Sequence, residues 1–225
     1  MPLYHDEDQA MLAETAQQFM AEQGAIKDQL RHWRDRNCKD GFGHALWKQF
    51  AEMGFTGILV GEDHSGLDMG HVEAGIVLEE IGRNLTPSPF LSSSVLAATA
   101  LNHGSEDVKG RWLPDMVAGE KVYAVAIDEG PKHRPERIAC KAEKSGNGFR
   151  LSGKKDFVVY GASAEMIVVA ARTSGSDSDE DGLTLFAVPQ DANGMSHDSV
   201  RLVDSSMASH VTFDNVELDL FAFSE

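Results

Sequence analysis

Near Gly119 and Glu120 the apolar residues of this chain change their spacing, and that change limits the fold more than any single motif. Before it, apolar positions recur every three or four residues, the period of helices that bury one face. After it they alternate or form short runs bounded by turn residues, the mark of strands. A helical first half followed by a strand-rich second half is an α+β arrangement, not an alternating α/β one. The expected fold is an all-helical bundle over residues 1–120, followed by an antiparallel β-barrel or sandwich over residues 121–225.

Individual elements can be placed. Leu12, Ala16, Phe19 and Met20 form one stripe, with Asp6 as N-cap and Gln9 three residues on in capping-box register. Phe42, Leu46, Phe50 and Met53 form a second, which Gly54 ends. Val72, Ile76 and Ile81 predict a third helix stopping at Gly82, and Val95, Leu96 and Leu101 a fourth stopping at Gly104. A fifth starts at Ser105, carries Val108 and Trp112, and is expected to kink or restart at Pro114.

Strands are expected at 122–127, 138–142, 149–151, 157–159, 166–171, 183–188, 200–203 and 211–213. Ser145-Gly-Asn-Gly148 supplies a hairpin turn, and residues 173–182 a long loop.

Charge and cysteine usage remove several functions. Twenty Lys and Arg against 36 Asp and Glu leave a net charge of −16, which repels nucleic acid and anionic membranes. Any phosphate-bearing ligand must therefore be held by local donors. Cys38 and Cys140 are too few for a disulfide framework or a zinc cluster. The acidic start of the chain resembles neither a secretory signal nor a mitochondrial presequence, and no apolar run reaches the length of a membrane span. A cytoplasmic location is the expectation.

Generic catalytic motifs are absent: no nucleophile elbow, no Walker loop, no dinucleotide fingerprint. Asp177-Ser-Asp-Glu-Asp-Gly182 opens like a calcium loop, but its twelfth position is Val188 where a bidentate Glu is required. It reads as a solvated acidic loop. The nine histidines show no paired ligand spacing, so no metal site is expected. Gly66-Leu-Asp-Met-Gly70 reads as a turn and not as a phosphate cradle.

Four blocks, in order, carry a resemblance. They are Gly54-Phe-Thr-Gly-Ile-Leu-Val60 with Val77-Leu-Glu-Glu-Ile-Gly-Arg83, then Trp112-Leu-Pro-Asp-Met-Val-Ala-Gly-Glu120, then Ala124-Val-Ala-Ile-Asp-Glu129, then Leu151-Ser-Gly-Lys-Lys-Asp-Phe-Val-Val-Tyr-Gly161. Together they resemble the N-terminal helical and middle β domains of the acyl-CoA dehydrogenases, flavoenzymes that desaturate acyl-CoA thioesters with FAD.

The resemblance implies that Val125, Ala126, Ile127 and Asp128 run beside the flavin pyrimidine. Phe157 would cover the ring, with Val158 next to it and Val159 where the family has a Ser or Thr beside N5. It also implies an electron-transfer flavoprotein or similar acceptor, and a homo- or hetero-oligomer. The catalytic carboxylate of the family lies in a further helical domain, so no residue here is assigned as base, Glu79, Glu80 and Glu129 included. The chain is expected to be a portion of that architecture, inactive alone, with its two lobes forming half of an isoalloxazine pocket.

The departures cluster at one place. Asp128 stands where the family has a hydroxyl donor, Val159 removes a second hydroxyl, and Lys132, His133 and Arg134 replace a Gly-Ser-Asp turn. This basic trio is a candidate for a CoA or FAD phosphate. Three readings stay open: an ordinary flavoenzyme, a degenerate subunit of a heteromeric dehydrogenase, and a flavin-free scaffold or acyl-binding module.

Overall fold

Asp6 opens the first helix as its spacing to Gln9 implies. In the computed structural model, which describes residues 4–218, the Asp6 carboxylate accepts the Gln9 amide at 2.8 Å. The Gln9 side chain accepts the Asp6 amide in return at 3.3 Å, which completes the capping box. The first three residues and the last seven, Glu225 among them, lie outside the described residues.

Six α-helices follow in order among the described residues: α1 (Glu7–Gln23), α2 (Leu30–Asp35), α3 (His44–Glu52), α4 (His71–Asn84), α5 (Ala98–Asn102) and α6 (Glu106–Val117). A π-helical segment, Leu91–Ala97, runs directly into α5. Gly54 sits just beyond α3 at φ 78°, a conformation that glycine adopts without a Cβ penalty.

Two helical expectations are corrected. α4 does not stop at Gly82: Gly82 stays in the helix, and Leu85 takes the left-handed position at φ 49°. α6 does not restart at Pro114, because the Pro114 carbonyl accepts Ala118 N at 2.9 Å and the ladder resumes after one lost donor. α2 buries no residue, so no apolar stripe in the sequence announces it.

The strands are β1 (Tyr123–Ala126), β2 (Lys141–Ser145), β3 (Gly148–Val159), β4 (Met166–Arg172), β5 (Leu183–Pro189), β6 (Met195–Arg201) and β7 (Met207–Leu218). They form one curled sheet in the order β1-β4-β2-β3-β7-β6, with β5 on β4. The sheet is mixed and not purely antiparallel: β1 runs parallel to β4, from Tyr123 opposite Met166 to Ala126 opposite Val169. The connection between those two strands contains the whole β2–β3 hairpin, which is long enough for the crossover that parallel pairing needs.

β3 unites two stretches that the sequence separates. Gly153 (φ 147°) and two register shifts against β7 interrupt its regular pairing. A Cβ at Gly153 would approach Cys140 Cα to 2.7 Å, so this crossing requires glycine. β6 lies earlier than expected and is a polar edge strand, with Val203 exposed in the turn that follows.

Two apolar clusters result. One joins the helices to one side of the sheet, so that Phe42, Phe50, Leu101 and Met116 pack in the same body as Tyr123, Tyr160, Met166 and Val168. The other lies within the sheet, around Leu151, Ile167, Phe186, Val211 and Val216. Arg172 is buried and donates to the carbonyls of Ser174, Asp179 and Asp181, so a cation of the chain itself organises the acidic loop. The amides of Leu67, Asp68 and Met69 donate to the carbonyls of Gly57, Val60 and Ile58, which makes that glycine-flanked segment a turn. Among the described residues no helix is long and apolar enough to cross a membrane.

Candidate functional site

β1 is held rigidly before it reaches the site. Tyr123 N donates to Ser93 Oγ at 3.1 Å, and the Tyr123 hydroxyl donates to the Trp112 carbonyl at 2.9 Å. Burial pushes that phenol further up from its usual range, so it remains a neutral donor. Ala126 is buried, while Val125 and Ile127 are half-buried.

Just past β1, the Ile127 carbonyl accepts Lys155 Nζ at 2.9 Å and the Asp128 carbonyl accepts Asp156 N at 2.7 Å. These two bonds bring residues 125–128 against residues 155–159, so the two cofactor-side groups expected from sequence are neighbours in space.

β3 carries a bulge at that contact. Between the pairs Lys155–Val211 and Val158–Ser209, Asp156 and Phe157 oppose the single residue His210. His210 Nδ1 lies 2.6 Å from Asp156 Oδ1 and bridges the bulge. Phe157 takes φ 55°, a left-handed conformation that costs a bulky residue about 1–3 kcal/mol. The residue is 58% exposed. The ring borders a groove of about 290 Å³ together with Pro131, Val200, Ala208 and His210. Val158 is buried in the sheet core, and Val159 is half-buried against the helix–sheet cluster.

Asp128 turns its carboxylate into the following loop. It accepts Arg134 N at 3.2 Å and lies 3.0 Å from His133 Nδ1. The anion expected to face a flavin carbonyl is therefore engaged elsewhere. Lys132, His133 and Arg134 are all exposed. Lys132 and Arg134 line a cleft of about 450 Å³ with Arg137, Ala139 and Asp177, and His133 is the residue of the trio that stays at Asp128.

Sequence reasoning missed the pair beneath this loop. Lys155 is fully buried and its ammonium lies 2.6 Å from Glu129 Oε1. The Glu129 carboxylate also accepts Ala139 N at 2.7 Å and Cys140 N at 3.0 Å. Burial lowers the Lys155 pKa, and the bond to Glu129 opposes that shift. Counting in twos from Leu151 puts Lys155 on the inward face, and a lysine there demands a carboxylate. That alternation was the available signal.

An isoalloxazine ring requires a flat apolar wall and fixed polar groups along one edge. Phe157, thrust outward at the bulge beside Pro131, Val200 and Ala208, would supply the wall, and the end of β1 would supply the edge. The residues present fit a flavin.

Comparison with known proteins identifies the family. Residues 6–120 match the family model for the acyl-CoA dehydrogenase N-terminal domain, and residues 134–216 match that for its middle domain. The chain belongs to the acyl-CoA dehydrogenase family, a family of FAD-dependent oxidoreductases.

Isovaleryl-CoA dehydrogenase of Arabidopsis thaliana is 32% identical over 156 residues, which are 67% of this chain and 38% of that protein. The structure of the ChsE4-ChsE5 complex from Mycobacterium tuberculosis superposes with a TM-score of 0.82 at 23% identity, covering 99% of this chain and 58% of that one. A glutaryl-CoA dehydrogenase from Mycobacterium smegmatis in complex with FADH2 gives a TM-score of 0.81 at 23% identity, covering 98% and 57%. At these identities the two structures show the shared fold. The chain spans half or less of the length of the curated relatives it matches, between 37% and 50%.

Proposed function

We propose that this chain supplies the helical and β layers of a flavin-dependent acyl-CoA dehydrogenase, dividing near residue 120, and that it does not turn over alone. One observation carries the reading: the strained bulge that presents Phe157 to solvent beside the end of β1. FAD bound there would accept hydride from the β-carbon of an acyl-CoA thioester as the α-proton leaves.

The roles of this chain's residues are binding and orientation. Val125, Ala126, Ile127 and Asp128 offer strand backbone to the polar edge of the ring. Phe157 covers a face of the ring, Val158 anchors the bulge in the core, and Val159 flanks the reacting edge. Lys132, His133 and Arg134 belong to the phosphate-bearing side. No carboxylate here is assigned as base. Glu129 in particular is occupied by Lys155 and two amides, which leaves it unsuited to proton abstraction. The acceptor would be an electron-transfer flavoprotein or similar, the location cytoplasmic, and the assembly an oligomer.

A second reading has its own support. Asp128 and Val159 replace two hydroxyls at the flavin edge, and the Asp128 carboxylate is committed to the loop. A degenerate subunit that pairs with a competent dehydrogenase chain would tolerate both. The fold's likeness to the ChsE4-ChsE5 complex is compatible with it.

Flavin absorbance after FAD addition, measured on the chain alone and after co-expression with a second dehydrogenase chain, separates the readings. Weak binding alone is expected from both. FAD retained only in the co-expressed complex supports the subunit reading. Reduction of an artificial acceptor by the isolated chain with any of a panel of acyl-CoAs would overturn the proposal that it is inactive alone.

A further inference from the structure

Phe157 is aimed by its backbone and not by packing. It belongs to neither apolar cluster, while the residues that flank the bulge, Lys155 and Val158, are both buried. Asp156 and Phe157 between them are opposed by His210 alone. A left-handed φ of 55° at a bulky residue persists only where the surroundings over-determine it.

The ties that could do so run through Asp156. Its amide donates to the Asp128 carbonyl at 2.7 Å, which fastens the bulge to the end of β1. Its carboxylate accepts from His210 Nδ1 at 2.6 Å, which fastens it to β7. A carboxylate only accepts, so Nδ1 carries the proton, and such bonds are among the stronger ones a side chain makes. Neither side chain has another hydrogen-bond partner among the described residues. Asp198 stands opposite His210 in the β6–β7 register, a second carboxylate in the same row. Among the described residues no three His, Cys, Asp or Glu could hold a metal ion, so the row is not a metal centre.

We infer that Asp156 and His210 form a latch: their bond holds the bulge in the conformation that presents Phe157 to the groove. Both are positioning residues for the proposed flavin wall, acting through Phe157 and not by touching the ring. The inference rests on the flavin reading for its purpose and extends it from the wall to what keeps the wall in place. Asp156, Phe157 and His210 line one groove, so direct contact of His210 with the ring is the competing explanation.

Hydrogen exchange on the whole chain without ligand tests the latch. The Asp156 amide reports opening of the bulge, and the amides of Val168 and Val169 in buried β4 serve as reference. His210→Ala and Asp156→Ala should each speed exchange at the bulge about tenfold and leave the reference unchanged. His210→Asn, whose amide can donate from near the Nδ1 position, should restore most of the protection. Exchange that ignores both alanine variants overturns the inference. So does an equal effect from Asp198→Asn, which changes the local charge without touching the bulge.

Equilibrium dialysis against FAD tests the purpose. His210→Ala should reduce FAD affinity severalfold, and His210→Asn should recover it. On a Phe157→Ala background the same His210→Ala change should matter by less than about twofold, because a latch has no effect once its wall is gone. Losses that multiply would mean that His210 contacts the ring, and would overturn the positioning role. FAD affinity indifferent to Asp156 and His210 also overturns it, and leaves the flavin reading intact. If the parent takes up no FAD, alone or co-expressed with a second dehydrogenase chain, while exchange at the bulge still depends on His210, the flavin reading falls and the latch stands. Thermal melts check that each variant is folded, and Asp156→Asn stands in if the alanine variant is not.

Discussion

Lys155 and Glu129 meet at 2.6 Å beneath the loop that carries the basic residues, with the lysine side chain wholly out of water and the glutamate side chain 15% exposed. Removing one partner leaves a buried charge without its counter-ion, a change that costs about 3–5 kcal/mol. Lys155→Met should therefore lower the urea midpoint sharply without altering the m-value. The double variant Lys155→Met with Glu129→Gln should recover part of the loss. A single variant as stable as the parent would show that water reaches the pair.

Phe157 holds a left-handed backbone while more than half of the residue is exposed. Phe157→Gly should relieve about 1 kcal/mol of strain and sacrifice little packing, so the melting temperature should stay level or rise. FAD affinity should fall in the same variant. Opposite signs for stability and ligand binding are the signature to look for in paired melting and flavin-titration experiments.

Val159 is half-buried at the proposed flavin edge. Val159→Thr keeps the shape and adds a hydroxyl, which without ligand should cost about 1 kcal/mol of stability. With FAD present the hydroxyl gains a partner, and affinity should rise about two- to tenfold. Equal flavin affinity in the two proteins would place the ring elsewhere.

His197 buries both ring nitrogens without a partner among the described residues, and burial lowers its pKa. A depressed folded value means the unfolded chain binds the proton more readily. The stability it contributes is complete above the unfolded value, about 6.5, and is lost as pH falls through the folded one. Between about pH 7.5 and about pH 5 the parent should lose more stability than His197→Leu, as denaturant titrations at the two pH values would show.

Cys140 is buried beside Gly153, and burial chiefly pushes its thiol up to about 12. Cys38 is partly exposed. A disulfide reagent should therefore modify one thiol in the native protein and two after unfolding. Two fast-reacting thiols in the native state would contradict the packing around β3.

Much of this could be read before any coordinates, for reasons that differ by element. The capping box at Asp6 and the hairpin at Ser145 to Gly148 are local, because their partners lie within three residues. The parallel pairing of β1 with β4 is not local: nothing in Tyr123–Ala126 names Met166–Val169 as its neighbour.

The bulge at Asp156 and Phe157 was hidden for another reason. A bulge breaks the alternation by which strands are recognised, so one long strand looked like two. The basic trio was visible as a cluster. That His133 would side with Asp128, leaving Arg137 to join Lys132 and Arg134, depended on how the loop folds back on itself.

The placement of β1 limits where ligand preference could change. Tyr123 is locked into the helix–sheet cluster, and Ala124 and Ala126 into the cluster within the sheet, so the strand has no idle face. A bulkier residue there would have to displace well-packed neighbours on one side or the other. The loop after it has no such restriction: Lys132, His133 and Arg134 are solvent-facing and belong to neither apolar cluster. New preferences for a ligand's charged end would be cheapest to acquire in that loop, while the proposed berth along the strand stays unchanged.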